Sequence, residues 1–281
     1  MNIVIGLMPA LFWGVLPLWL RRFTGGGFRS QLLGTALGIM LVAACIHMVQ
    51  GYSLPFKTWG LFLLSGFCWS FGQAGQYYCY EKLGVSVTMP LSTALQVVGN
   101  SLIGGLFFGE WSGASAILSS LAAMVIIVIG VFLTNGKGLK GGKGRPRDYL
   151  VLLVSTVGYW GYSAFPLMVT NVESKLEGFL PQSVGMVIAA ILIGLSARHE
   201  IVDGATMRNI SGGFIFSVAA ATYLISMSMN GMVNAFVLSQ LNVLVSTLSG
   251  AIVLKELPKD GVPRVVLGLI VLIVGAALMV M

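Results

Sequence analysis

Neutral polar and aromatic side chains stand inside long apolar stretches of this sequence, and their chemistry suits the binding of a solute. Gln and Asn each carry a hydrogen-bond donor and an acceptor, which match the adjacent hydroxyl groups of a polyol. Trp and Tyr combine an apolar face with a polar tip, which suits the C–H face of a hydroxylated ring. The candidate solute-binding residues are Trp13, Gln73, Gln76, Tyr77, Thr93, Gln96, Asn100, Trp160, Tyr223 and Asn242.

Two groups of these residues follow the spacing of a helix face. An unsatisfied polar group is costly in lipid, so both faces are expected to point to the protein interior. The alternative interpretation is structural, because polar side chains in membrane helices often hydrogen-bond a neighbouring helix. The first group is Gln73, Gln76 and Tyr77, and the second is Thr93, Gln96 and Asn100.

Charged and metal-ligating side chains are scarce in the apolar stretches. No Lys or Arg lies at the centre of a stretch, which disfavours a carrier of phosphates or amino acids, and no acid lies there to bind a cationic drug. The only histidines are His47 and His199, and no H-E-x-x-H motif, paired carboxylates or Ser-His-acid set is visible. We therefore expect a neutral polar solute, no enzyme activity, no metal and no cofactor.

The composition predicts that membrane-spanning helices position these residues. Of the 281 residues, 57% are hydrophobic and only 9% are charged, against roughly 25% charged in an average soluble domain. Too little polar surface remains to cover a soluble exterior, and the apolar runs lack the alternation of a transmembrane barrel. The expected fold class is an all-α integral membrane protein with ten transmembrane helices, at about 2–20, 31–51, 59–80, 85–107, 113–134, 149–169, 180–197, 210–229, 232–254 and 263–281. The spacing Gly34-x-x-x-Gly38 permits close contact between helices.

The basic residues predict the orientation of the chain in the membrane. Fourteen of the sixteen Lys and Arg residues fall in loops after odd-numbered spans, and only Lys57 and Lys175 fall on the other side. The side rich in Lys and Arg is cytoplasmic, so both termini are expected outside and the linker inside. The net charge of +7 thus reflects topology and attraction to an anionic leaflet, and no nucleic acid is expected as a partner.

The two halves of the chain resemble each other. With a shift of 146 residues, Ser65–Trp111 aligns without gaps to Ser211–Leu257, and ten of 47 pairs are identical. In this alignment Gln96 is equivalent to Asn242, near the middle of each span. Because five spans are an odd number, the second copy must enter the membrane inverted, as in many secondary transporters. The predicted domains are the first five-helix repeat at 1–134, a basic cytoplasmic linker at 135–148 and the second repeat at 149–281.

The order of several short motifs carries a resemblance to a known family. They include Leu7-Met8-Pro9-Ala10-Leu11-Phe12-Trp13-Gly14, Cys68-Trp69-Ser70-Phe71-Gly72-Gln73, Met89-Pro90-Leu91-Ser92-Thr93 and Gly109-Glu110-Trp111. Over its full length the chain resembles the bacterial glucose/ribose uptake porters of the drug/metabolite transporter superfamily. The resemblance implies a ten-helix secondary transporter that takes up glucose or ribose and is coupled to protons. One departure is Ala94, where the family pattern leads us to expect Gly.

Proton coupling, which the resemblance implies, requires a titratable group in or near a span. The candidates near span ends are Glu110, Glu81 and His47. Glu110 is favoured because Glu256 occupies the equivalent position in the second half, although a repeated acid can equally serve to pack the fold.

Two alternatives to sugar uptake stay open. The first is an exporter of amino acids or other metabolites, and the second is a membrane sensor or enzyme that does not transport. The repeat and the lack of a catalytic set favour transport. The expected partners are a small neutral sugar, the proton and the lipid bilayer, without an obligate protein partner.

Overall fold

In the described part of the chain, all regular structure is helical in a computed structural model. The described residues are 2–109, 111, 113–134, 144–170, 172, 175–230, 235, 238–256 and 261–278. The helices are α1 (Ile3–Trp19), α2 (Phe28–Gln50), α3 (Phe56–Lys82), α4 (Val85–Phe107), α5 (Ala114–Thr134), α6 (Pro146–Leu167), α7 (Phe179–Gly194), α8 (Arg198–Ile201), α9 (Gly204–Asn230), α10 (Asn242–Ile252) and α11 (Val262–Leu278). A π-helical turn at Leu20–Thr24 extends α1, and 3-10 turns occupy Lys175–Gly178 and Leu195–Ala197.

Several of these helices are long and apolar enough to cross a membrane. The segments that meet both conditions are Ile3–Thr24, Phe28–Gln50, Ile117–Thr134, Pro146–Leu167 and Leu176–Ile201, and α10 and α11 are shorter apolar helices. The prediction of an all-helical membrane protein is therefore confirmed for the described residues. The arrangement of ten spans as an inverted repeat stays a prediction.

Three further helices, α3, α4 and α9, coincide with predicted spans but are less apolar. They contain 27, 23 and 27 residues, which is enough to cross the hydrocarbon core at about 1.5 Å per residue. The two groups of polar residues identified above lie on α3 and α4, and these side chains lower the mean hydropathy of both helices. Seven of the ten candidate residues lie on α3, α4 and α9, so these helices carry most of the candidate site.

The described helices belong to two compact units. The first unit comprises Met1–Leu18, Cys79–Leu153 and Ala219–Met281, and the second comprises Trp19–Tyr78 and Val154–Val218. Each unit therefore draws on both predicted repeats.

In the first unit, α5 packs against α11 and α4 packs against α10. The fully buried side chains of Ile127, Leu269 and Leu272 supply part of the core of the α5 and α11 pair. In the other pair, α4 carries the candidates Thr93, Gln96 and Asn100, and α10 begins at the candidate Asn242.

In the second unit, α2 packs against α7 and also approaches α9 closely. A Cβ at Gly38 would lie 2.8 Å from the Gly213 Cα, and Gly34 also faces the α9 backbone. The close helix contact predicted from the Gly34-x-x-x-Gly38 spacing is therefore confirmed. At one end of this contact, the Thr24 hydroxyl donates to Asn209 Oδ1 at 2.6 Å.

Candidate functional site

In the first unit, an aromatic pair joins α1 to the second part of α9. The ring centroids of Trp13 and Tyr223 are 5.7 Å apart, with planes inclined by 47°. Both side chains are partly exposed, so the pair offers an apolar surface with polar tips to a ligand. Next to Trp13, a Cβ at Gly14 would lie 3.0 Å from the Asn242 carbonyl oxygen. Three predicted residues, Trp13, Tyr223 and Asn242, thus occur on adjoining segments of one unit.

Helix α4 supplies the other predicted residues of this unit. Thr93 is buried, whereas Gln96 and Asn100 are partly exposed. Gln96 Nε2 donates to Ser92 Oγ at 3.0 Å, one turn earlier on the same helix, so the amide is held along the helix face. Because α4 is helical at all three positions, the spacing of three and four residues places them on one side of the helix.

Two amide oxygens of the first unit have no hydrogen-bond partner among the described residues. They are Asn100 Oδ1 and Asn242 Oδ1, and both atoms are buried. Leaving such an acceptor unsatisfied costs about 1–3 kcal/mol. A ligand hydroxyl that donates to either oxygen would recover that free energy, so these amides are suited to a hydroxylated ligand.

Helix α4 packs against α10 in the first unit. Near the start of α4, the Ser86 Oγ lies 3.3 Å from the Thr247 carbonyl oxygen in the middle of α10. Of the candidate amides, Gln96 and Asn100 lie on α4 and Asn242 lies on α10, so two helices that pack together carry them.

In the second unit, three polar side chains form one hydrogen-bonded group. Gln73 Nε2 donates to Gln76 Oε1 at 2.9 Å. The Tyr159 hydroxyl lies 2.8 Å from Gln73 Oε1 and 2.8 Å from Gln76 Oε1. Gln73 and Gln76 are both more than nine-tenths buried, so the group links α3 to α6 inside the unit.

Tyr159 is a member of this group that the candidate residues did not include. The sequence signal was a cluster of aromatic residues, Tyr159, Trp160 and Tyr162, in the predicted sixth span. Sequence reasoning selected Trp160, which is partly exposed, because the apolar pattern did not fix which side of the helix faces α3. The fourth predicted residue of this unit, Tyr77, is fully buried, and its hydroxyl donates to Thr35 Oγ1 at 3.4 Å.

The candidates for proton coupling occupy helix ends where the structure describes them. His47 lies in the last turn of α2 and is partly exposed, and Glu81 is partly exposed near the end of α3. Glu110 lies outside the described residues, as do positions 135–143 of the predicted linker. Their coupling roles stay predictions. Within the described residues, no group of three or more His, Cys, Asp or Glu side chains is placed to hold a metal ion.

Known proteins match this chain over nearly its whole length. The family described as "Sugar transport protein" matches residues 4–281. A Lactobacillus helveticus protein named for sugar uptake is 37% identical over 281 residues, covering 99% of this chain and 100% of that protein. A Latilactobacillus sakei protein named for ribose uptake, RbsU, is 39% identical over 287 residues, covering 98% and 97%. The Bacillus subtilis glucose uptake protein GlcU is 36% identical over 282 residues, covering 98% and 96%.

A solved crystal structure has a similar fold. It covers 99% of this chain and 97% of its own chain, with a TM-score of 0.62 and 16% sequence identity. At this identity the likeness supports the fold alone.

Proposed function

The chain belongs to the sugar transport protein family, and from this premise we propose that it takes up a monosaccharide, glucose or ribose, by alternating access. The observation that carries the proposal is the nearly full-length match to relatives named for sugar, ribose and glucose uptake. The proposed localisation is the plasma membrane, with both termini outside and the linker inside.

The proposed sugar site uses the chemistry of the first unit. Trp13 and Tyr223 offer an aromatic surface for the C–H face of the ring, and Gln96, Asn100 and Asn242 offer amide groups to its hydroxyls. The buried amide oxygens without a partner in the described residues support this assignment. The remaining candidates, Thr93, Gln73, Gln76, Tyr77 and Trp160, are proposed to contribute to sugar binding as well.

We propose that the chain forms ten spans arranged as two inverted repeats. The packing of α4 against α10 supports this, because the shift of 146 residues makes Gln96 of α4 equivalent to Asn242 of α10. Inverted repeats allow a fixed central site to open alternately to the two sides of the membrane. Uptake against a gradient is proposed to be coupled to protons, through Glu110 as the first candidate and Glu81 or His47 as the others.

The experiment that tests the function is counterflow in liposomes containing the purified protein. We expect saturable exchange of labelled glucose or ribose without added nucleotide, with protein-free liposomes as the control. A panel of labelled amino acids is tested beside the sugars. Rapid exchange of an amino acid, with no exchange of any hexose or pentose, would contradict sugar uptake and favour the exporter alternative.

A further inference from the structure

The carboxylate of Glu256 binds the first turn of α4. Glu256 follows the end of α10, and its Oε1 accepts the Val85 N–H at 2.9 Å. Its Oε2 accepts the Ser86 N–H at 2.8 Å and the Ser86 hydroxyl at 2.7 Å. The first N–H groups of a helix have no partner within the helix, and the residue at the N-cap of α4 is Gly84, which has no side chain to supply one. Glu256 therefore caps α4 from a segment 170 residues away in the sequence.

Two glycines make room for this carboxylate. Gly84 has a φ of +84°, and a Cβ there would lie 2.9 Å from the carboxyl carbon of Glu256. A Cβ at Gly250 would lie 2.9 Å from Glu256 Oε2 and 2.8 Å from Ser86 Oγ. The Glu256 N–H donates to the Gly250 carbonyl at 3.3 Å, which ties the carboxylate to the last turn of α10. The cap thus joins the start of α4 to the end of α10.

Pro90 makes the first turn of α4 depend on this external contact. Proline has no N–H, so the carbonyl of Ser86 lacks its usual partner within the helix. The segment before Pro90 keeps the bond from the Thr88 N–H to the Gly84 carbonyl at 3.1 Å. Gln96 follows Pro90 by less than two turns, so a change in the direction of the first turn would change the position of its amide.

We propose that Glu256 is a positioning residue for sugar binding, because it fixes the register between the two helices that carry Gln96 and Asn242. This inference rests on the proposed function, in which these amides bind the sugar. Glu256 acts through α4 without touching the sugar. Both of its oxygens serve as acceptors, and three donors from Val85 and Ser86 hold them in place.

The first test replaces the carboxylate by an amide of nearly the same shape. In Glu256→Gln an NH2 group replaces one carboxylate oxygen and faces a donor of α4 instead of accepting from it. One hydrogen bond is lost if the NH2 group replaces Oε1, and two are lost if it replaces Oε2. We expect the KM for glucose or ribose counterflow to rise by about three- to tenfold, while Vmax stays within about twofold. Ser86→Ala removes only the hydroxyl bond and is expected to give a smaller rise, about two- to threefold. The matched control is Asp203→Asn, an exposed acid of the second unit, which is expected to change neither value.

The second test asks whether Glu256 acts through Gln96. In a double-mutant cycle, the rise in KM caused by Glu256→Gln is expected to shrink in a Gln96→Ala background, because the positioned amide is already gone. An equal rise in both backgrounds would overturn the proposal. If Glu256→Gln does not fold, the same cycle is measured with Ser86→Ala, and an unchanged KM in folded Ser86→Ala protein would overturn it too. A wild-type protein that exchanges no sugar would instead contradict the proposed function.

Discussion

At the scale of single residues, the polar side chains of the two units differ in how they are satisfied. Gln73 and Gln76 bond to each other and to Tyr159 within the second unit, which matches the interhelical alternative considered from the sequence. In the first unit, Asn100 Oδ1 and Asn242 Oδ1 are buried without a partner among the described residues. Among the candidate residues, the acceptors left for a hydroxylated ligand are therefore those of Asn100 and Asn242 in the first unit.

The first prediction concerns the amide of Gln96. Gln96→Ala removes a donor and an acceptor from the proposed site, so a buried sugar hydroxyl loses its partner. We expect sugar binding to weaken by about 1–3 kcal/mol, measured as the dissociation constant of glucose or ribose for the purified protein. Gln50→Ala, at an exposed position in the last turn of α2, is the matched control and is expected to bind normally. Unchanged affinity in folded Gln96→Ala protein would remove Gln96 from the site.

The second prediction concerns coupling through Glu110. If this carboxyl exchanges the coupling proton, Glu110→Gln blocks the use of the proton gradient but still allows sugar exchange. We therefore expect the rate of gradient-driven uptake to fall at least tenfold more than the rate of counterflow, because only the former needs the proton-transfer group that the substitution removes. Both rates are measured on the same liposomes. An equal loss in the two assays would indicate that Glu110 has a structural role.

At the scale of elements, the sequence predicted where helices lie better than where they end. The expected span at 59–80 lies inside α3, Phe56–Lys82, and the expected span at 210–229 lies inside α9, Gly204–Asn230. Apolarity marks the part of a helix in lipid, while the hydrogen-bonded backbone continues into polar ends such as Glu81 and Lys82. The turn at Leu195–Ala197 forms the end of the predicted span 180–197, whereas the short helix Arg198–Ile201 was not predicted, because three of its four residues are polar.

The contacts between elements were predictable only where one local pattern encodes them. The spacing of Gly34 and Gly38 indicated a close helix contact, although it did not identify α9 as the partner. The cap of α4 by Glu256 gave no local signal, since donor and acceptor are 170 residues apart. The repeat drew attention to Glu256 as the equivalent of Glu110, but it did not distinguish a cap from a coupling acid. The choice of Trp160 over Tyr159 depended in the same way on a helix rotation that only packing determines.

The third prediction tests the close contact between α2 and α9. A Cβ at Gly38 would lie 2.8 Å from the Gly213 Cα and would also meet the Ile210 carbonyl, so the two helices must separate. Gly38→Ala is expected to lower stability by about 1–3 kcal/mol, measured as a fall in the Tm of the detergent-solubilised protein. The matched control is Gly60→Ala in α3, where nothing lies within 4 Å of the added Cβ. Gly60→Ala should leave Tm unchanged or slightly raised, because Ala favours a helix over Gly, and equal Tm values for both variants would contradict the contact.

At the scale of the whole molecule, composition was the most informative property. A chain with 57% hydrophobic and 9% charged residues has few ways to fold other than as membrane helices, and the described residues follow that expectation. The two compact units were not evident from the sequence, because each draws on both halves of the chain. Repeats are recognised from the order of residues along the chain, whereas compact units are defined by which helices pack together after folding.

The fourth prediction is the orientation of the chain, and it tests the inverted repeat directly. Fourteen of sixteen basic residues lie on one predicted side, so a reporter inserted at Gly142 is expected in the cytoplasm. A reporter fused after Met281 is expected outside, as is one inserted after Gly51, the last residue of the second predicted span. If Gly142 and Met281 lie in opposite compartments, the number of spans between them is odd. Two repeats are inverted relative to each other only when each contains an odd number of spans. If both sites report the same compartment, the second half contains an even number of spans. The arrangement of ten spans as two inverted five-span repeats would then be wrong.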